Sequence, residues 1–87
     1  RQWTLTIDGA TRRITARESA ILAMLARRVG EVVTSAELLL DIWGDDSYYN
    51  LRSLNVFISR LRGYLAADDR VDIQSVRGVG YRMIVNN

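Results

Sequence analysis

Between positions 50 and 66 the chain reads NLRSLNVFISRLRGYLA. Written as a helix at about 100° per residue, this stretch puts Arg52, Val56, Ser59, Arg60 and Gly63 on one side. Two arginines there lie about two turns apart with a valine between them. A guanidinium can bond guanine or a phosphate, and an apolar side chain can meet a thymine methyl. The chemistry on offer is therefore groove reading. The competing reading is the solvated back of an amphipathic helix. The opposite side carries Leu51, Leu54, Ile58, Leu61 and Leu65 in an i, i+3, i+4 rhythm that demands a core.

Other chemistries are excluded by composition. The 87 residues contain no Cys and no His. A thiolate nucleophile, a Ser-His-Asp triad and a zinc-finger site cannot be built within them. Nor do paired carboxylates share an element, so we expect no enzyme and no cofactor. No run reaches the length of a membrane span, and no signal peptide opens the chain. At 48% hydrophobic and 25% charged residues, the composition fits one soluble globular domain in a reducing, cytoplasmic setting. The chain starts with Arg1 rather than Met, and we read residues 1–87 as the C-terminal fragment of a longer protein.

Net charge is +2 but unevenly placed. Residues 1–51 carry six arginines against seven acids, whereas residues 52–87 carry six against three. Every cation is arginine, the side chain suited to bidentate phosphate and base contacts. The positive potential thus falls on the half that contains the two-faced helix.

The elements that must position that helix can be read in order. WTLTI (residues 3–7) alternates, Asp8-Gly9 is a turn signal, and residues 11–14 return as a second strand. Thr15 opens a first helix with a capping box to Glu18, expected to run to about Arg28. Its buried stripe is Ile21, Leu22, Leu25 and Val29, and Gly30 stops it. Residues 31–33 form a short extended piece. Thr34 or Ser35 caps a second helix, with Glu37 completing the box. Leu38, Leu39, Ile42 and Trp43 face inward there, and Gly44 ends the helix. Residues 45–49 form an acidic, aromatic loop, and Asn50 caps the third helix. Gly63 marks either a weakened last turn or a close backbone approach. Residues 71–76 and 81–85 alternate as strands around the loop Arg77-Gly78-Val79-Gly80. The order is hairpin, three helices, hairpin, an α+β winged helix-turn-helix.

RSLNVFISRLR (residues 52–62) followed by VRGVGYR (residues 76–82) resembles the OmpR/PhoB-type DNA-binding domain of bacterial response regulators. The wing motif is matched in full. Glu18 in a T-x-x-E first helix and Trp43-Gly44 closing the second add to the match, which covers about residues 3 to 85. The family's leading four-stranded sheet is represented only by its later hairpin.

The resemblance implies an N-terminal antiparallel sheet, three helices and a C-terminal wing. It implies sequence-specific binding of double-stranded DNA in transcriptional regulation, within a two-component system, with the third helix in the major groove. Base contacts would come from Asn55, Val56 and Arg60, and from Arg77 in the minor groove. Phosphate contacts would come from Trp43, Arg52, Ser53, Ser59, Arg62 and Tyr81. The loop bearing Asp45, Asp46, Tyr48 and Tyr49 corresponds to a region that contacts RNA polymerase. A head-to-tail dimer on direct-repeat half-sites and an upstream receiver domain are further expectations, and a membrane-anchored regulator carrying the same domain is the alternative architecture.

Two residues depart from the family pattern. Asn55 stands where the family has Asp, which exchanges an acceptor for cytosine N4 for an amide suited to adenine N6 and N7. Phe57 replaces a commonly polar residue.

Bland readings stand beside these roles. Arg52 could pair with Asp45 or Asp46, and Arg62 could make a structural ion pair. Trp43 could be core, and Gly78 and Gly80 could simply permit φ > 0 in the wing turn. With no Lys-Ser/Thr and no following helix, those glycines do not make a nucleotide loop. A different function class is a protein-interaction module using the Val56, Phe57 and Tyr64 side.

Overall fold

The computed structural model describes residues 3–7 and 9–86, so Asp8 of the expected turn lies outside the described residues. Strands β1 (Trp3–Ile7) and β2 (Ala10–Ile14) pair antiparallel as a two-stranded hairpin, with Trp3 opposite Ile14. Helix α1 spans Ala16–Arg27. Strand β3 (Val32–Thr34) leads into α2 (Ser35–Leu38), which loosens into a π-helical turn at Leu39–Trp43. Helix α3 covers Tyr48–Leu65, followed by β4 (Val71–Val76) and β5 (Gly80–Val85). A second sheet has the order β3-β5-β4, both pairings antiparallel. This is the α+β winged helix-turn-helix that the sequence led us to expect, with the extended piece before α2 recruited as a third strand of the wing sheet.

Both capping boxes form. Thr15 Oγ1 accepts the Glu18 N–H at 3.1 Å, while Glu18 Oε1 accepts the Thr15 N–H at 2.8 Å. Thr34 and Glu37 repeat the arrangement at 3.1 and 2.7 Å. Such reciprocal bonds satisfy helix donors that have no partner within the helix. Glu18 is itself buried, and its other oxygen accepts the Tyr64 hydroxyl at 3.1 Å, which ties α1 to α3 across the core. The core itself gathers Ile21 and Leu25 from α1, Leu38 from α2, Leu39 from the π-helical turn, and Leu54, Ile58, Leu61 and Leu65 from α3. Val33, Ile73, Tyr81 and Met83 close it from the wing sheet.

Four expectations need correction. The third helix starts at Tyr48 and is capped by Ser47, not Asn50: the Ser47 side chain accepts the Asn50 N–H at 3.3 Å, and Asn50 Nδ2 donates to the Asp45 carbonyl at 3.1 Å. Tyr48 and Tyr49 are therefore helical. Val29 is 45% exposed rather than part of the buried stripe, because α1 ends at Arg27 and the chain turns outward. Gly63 has open space where a Cβ would stand, which removes the close-approach reading. Gly78 adopts φ +75 in the wing turn, but Gly80 does not need a positive φ. A Cβ on Gly80 would instead collide with the Val33 carbonyl of β3, so the glycine is required by the close contact of two strands.

Candidate nucleic-acid interface

The face of α3 turned away from the core carries Arg52, Asn55, Val56, Ser59 and Arg60, all exposed. Its position follows from the burial of Leu54, Ile58, Leu61 and Leu65, which fixes the rotation of the helix. Among the described residues no carboxylate pairs with Arg52 or Arg60; the ion pairs there are Arg28 with Glu31 and Glu37, and Arg70 with Asp68. The alternative pairing of Arg52 with Asp45 or Asp46 is not made. Asp45 turns to its own loop and accepts the Ser47 N–H at 3.1 Å. Tyr49, Arg52, Ser53 and Val56 line a shallow depression at the start of this face.

The wing stands beside the same helix. A cleft of about 310 Å³ is lined by Leu51 and Asn55 of α3, Ser35 of α2, and residues 75–81, including Arg77. Arg77 is exposed at the tip of the β4–β5 turn, and among the described residues nothing bonds it. The tip is held in place: the Ser35 N–H donates to the Val79 carbonyl at 3.0 Å, and the Val79 N–H donates to the Val76 carbonyl at 2.9 Å. A hydrogen-bonded turn thus presents an exposed cation next to an exposed cationic helix face.

Other expected contacts are drawn into the fold. Arg62 Nε donates to the Ile73 carbonyl at 2.8 Å, and its Nη2 donates to Ser75 Oγ at 2.6 Å. It is a clamp between α3 and the edge strand β4, made to neutral oxygens rather than to the carboxylate that a structural ion pair would use. Tyr81 is only 8% exposed, and its hydroxyl donates to Asn55 Oδ1. That bond uses the single phenolic proton, leaving none to give a phosphate. Burial raises the Tyr81 pKa above its ordinary value, while the nearby Arg62 cation pulls the other way. Ser53 is half-buried and Ser59 exposed.

Trp43 is half-buried and meets Phe57 edge-to-face, with ring centroids 5.7 Å apart. The Arg60 guanidinium lies 5.4 Å over the Phe57 ring, and Arg17 lies 4.8 Å over the Trp43 ring. Phe57 thereby backs the side chain expected to read a base, through an attraction of about 0.5–1 kcal/mol at an exposed site. Arg17, a residue on α1, was not singled out by the sequence. No local pattern announces a stack assembled from three helical segments.

The expected acidic-aromatic loop divides. Asp45 and Asp46 remain exposed ahead of α3, and Tyr48 and Tyr49, each 77% exposed, occupy its first turn. The Val56, Phe57 and Tyr64 side does not form a free apolar patch, since Phe57 lies between Trp43 and Arg60. Tyr64 sits under Arg12, 4.3 Å from the guanidinium carbon, with its hydroxyl committed to Glu18.

Comparisons with known proteins agree with this fold. Residues 9–83 match the family model described as "Transcriptional regulatory protein, C terminal". The chain is 36% identical over 80 residues to the transcriptional regulatory protein RprY of Bacteroides fragilis, covering 92% of this chain and 34% of that protein. It is 38% identical over 81 residues to the response regulator SaeR of Staphylococcus epidermidis, covering 91% of this chain and 35% of that one. The chain therefore spans about a third of the length of these curated relatives. Among solved structures, the C-terminal domain of the nisin resistance regulator NsrR superposes with a TM-score of 0.74 at 31% identity, over 92% of this chain and 82% of that one. The DNA-binding domain of Escherichia coli CadC gives 0.78 at 27% identity, over 94% and 78%.

Proposed function

The chain belongs to the family of C-terminal domains of transcriptional regulatory proteins, of OmpR/PhoB type, and on that premise we propose that it binds double-stranded DNA sequence-specifically as the effector domain of a two-component response regulator. The observation that carries this reading is the exposed, carboxylate-free cationic face of α3 standing beside the free Arg77 of the wing. In the major groove, Arg60 and Val56 read base edges, with Asn55 at the flank nearest the wing. Arg77 enters the adjacent minor groove, where narrow A·T-rich segments attract arginine. Arg52 is the principal phosphate ligand of α3, with Ser53 and Ser59 alongside it and Trp43 at the end of the second helical segment. Arg62 and Tyr81 act first as parts of the scaffold that aims these groups.

The exposed Tyr48 and Tyr49, together with Asp45 and Asp46, favour a second surface on the same domain that meets RNA polymerase. We further propose a receiver domain in the longer protein, head-to-tail dimers on direct-repeat half-sites, and a cytoplasmic location. No helix among the described residues is long and apolar enough to cross a membrane.

The reading is tested by binding to randomised duplexes across a salt series. Affinity is expected to fall steeply with salt, each neutralised phosphate contributing about 0.9 to the log–log slope. Arg60→Ala is expected to relax preference at one base position by about 1–3 kcal/mol. Salt-independent affinity, or undiminished selectivity in Arg60→Ala, would overturn it.

A further inference from the structure

Tyr81 and Asn55 lie 26 residues apart and meet at the wall of the cleft between α3 and the wing. Asn55 is exposed on the face assigned to base reading, whereas Tyr81 is buried. A phenol has one proton, and here it is given to Asn55 Oδ1. The amide is planar, with its oxygen and nitrogen at opposite corners. Anchoring the oxygen toward the buried phenol turns Nδ2 and its two N–H groups outward.

We propose that Tyr81 sets base specificity through Asn55, committing this residue to present hydrogen-bond donors and so to select a base edge rich in acceptors. The inference rests on the DNA-binding reading above. Guanine offers N7 and O6 in the major groove, and thymine offers O4. Cytosine offers only the N4 amino donor and is rejected. Adenine is disfavoured, because its bidentate pairing requires the asparagine oxygen to face N6 while the nitrogen donates to N7, and the bond to Tyr81 turns that oxygen toward the buried phenol and away from the groove. The preference for adenine expected of a free asparagine is thereby withdrawn. An ordinary phenol keeps its proton through the neutral range, and burial raises the Tyr81 value further, so the donor is present there.

The test is enrichment from a library of randomised duplexes by the wild type, Tyr81→Phe, Asn55→Ala and the double variant. The position read by residue 55 is the one whose preference disappears in Asn55→Ala. At that position the wild type is expected to select guanine or thymine. Tyr81→Phe retains the ring in the core and frees Oδ1, and should raise adenine there by about tenfold, the scale of one bidentate pair. In the Asn55→Ala background the same change should do nothing. Asn55→Asp, which keeps an acceptor for the phenol and presents a second one outward, should move the preference to the donor-bearing edges of cytosine or adenine.

Adenine selected by the wild type, an unchanged profile in Tyr81→Phe, or no position sensitive to Asn55→Ala would overturn the proposal. So would a uniform loss of affinity in Tyr81→Phe with no change of profile, since that is the mark of a phosphate contact. Absence of any enrichment by the wild type would instead overturn the DNA-binding reading, and this proposal with it.

Discussion

Arg52 and Arg62 lie ten positions apart on α3, yet the fold engages one and leaves the other exposed, and replacing each with alanine should separate stability from the proposed binding. Arg62 makes two charge-assisted bonds, to the Ile73 carbonyl at 2.8 Å and Ser75 Oγ at 2.6 Å. Such bonds contribute about 1.5–3 kcal/mol each when well buried. Arg62 is half-buried, and water replaces part of what is lost, so about 2 kcal/mol for the pair is the reasonable sum. In a domain of this size each kcal/mol moves the midpoint by about 4–8 °C, so Arg62→Ala should lower Tm by roughly 8–16 °C. Arg62→Lys, which can satisfy one of the two acceptors, should fall between. Arg52 has no partner among the described residues, and Arg52→Ala should leave Tm within about 2 °C. On the proposed role of Arg52 its effect falls on DNA binding, where losing one phosphate contact reduces the salt slope by about 0.9. Thermal unfolding by circular dichroism, paired with a salt series of anisotropy titrations on randomised duplex, reads both quantities. If Arg62→Ala unfolds within a few degrees of the wild type while its salt slope drops, Arg62 is a phosphate ligand and the clamp argument is wrong.

Two further outcomes follow from the wing sheet. Gly80→Ala drives a methyl into the Val33 carbonyl and crowds the Thr34 Cα, so β3 and β5 must part and the Ser35–Val79 bond weakens; a loss of about 1–3 kcal/mol is expected in urea unfolding, and an unchanged midpoint would refute the close approach. The folded-state pKa of Tyr81 is raised by burial above the ordinary 10.0, so the unfolded chain releases this proton first as pH climbs. The associated stability is full below pH 10 and is lost as pH rises toward and through the folded value; Tyr81→Phe should flatten that alkaline decline, and an equally steep decline in the variant would exclude Tyr81 as its source.

Local rules made much of this molecule legible. Thr15 and Glu18, and again Thr34 and Glu37, are spaced so that neighbours three residues apart satisfy one another, and both boxes form as read. The leucine and isoleucine rhythm of α3 fixed which side must be buried and hence which side, with Arg52, Val56 and Arg60, is left exposed. The VRGVGYR motif placed an arginine at a hairpin tip because a glycine able to adopt φ +75 follows it. All of these depend on separations of a few residues, which periodicity and turn chemistry govern directly.

What required the tertiary structure is the division of labour among chemically identical groups. Arg52, Arg60 and Arg62 are the same side chain on the same helix. Only the arrival of β4 beside α3 determines that Arg62 is spent on a strand edge. Tyr81 looks from sequence like any wing tyrosine with a free hydroxyl, until the pairing of β5 with β4 and the packing of α3 bring it to Asn55. Gly80 reads as a turn residue and proves to be a spacer between strands, because β3, an inconspicuous three-residue segment, pairs alongside it. A hydrogen bond needs its two atoms within about 3 Å, and no pattern along the chain encodes that for residues tens of positions apart.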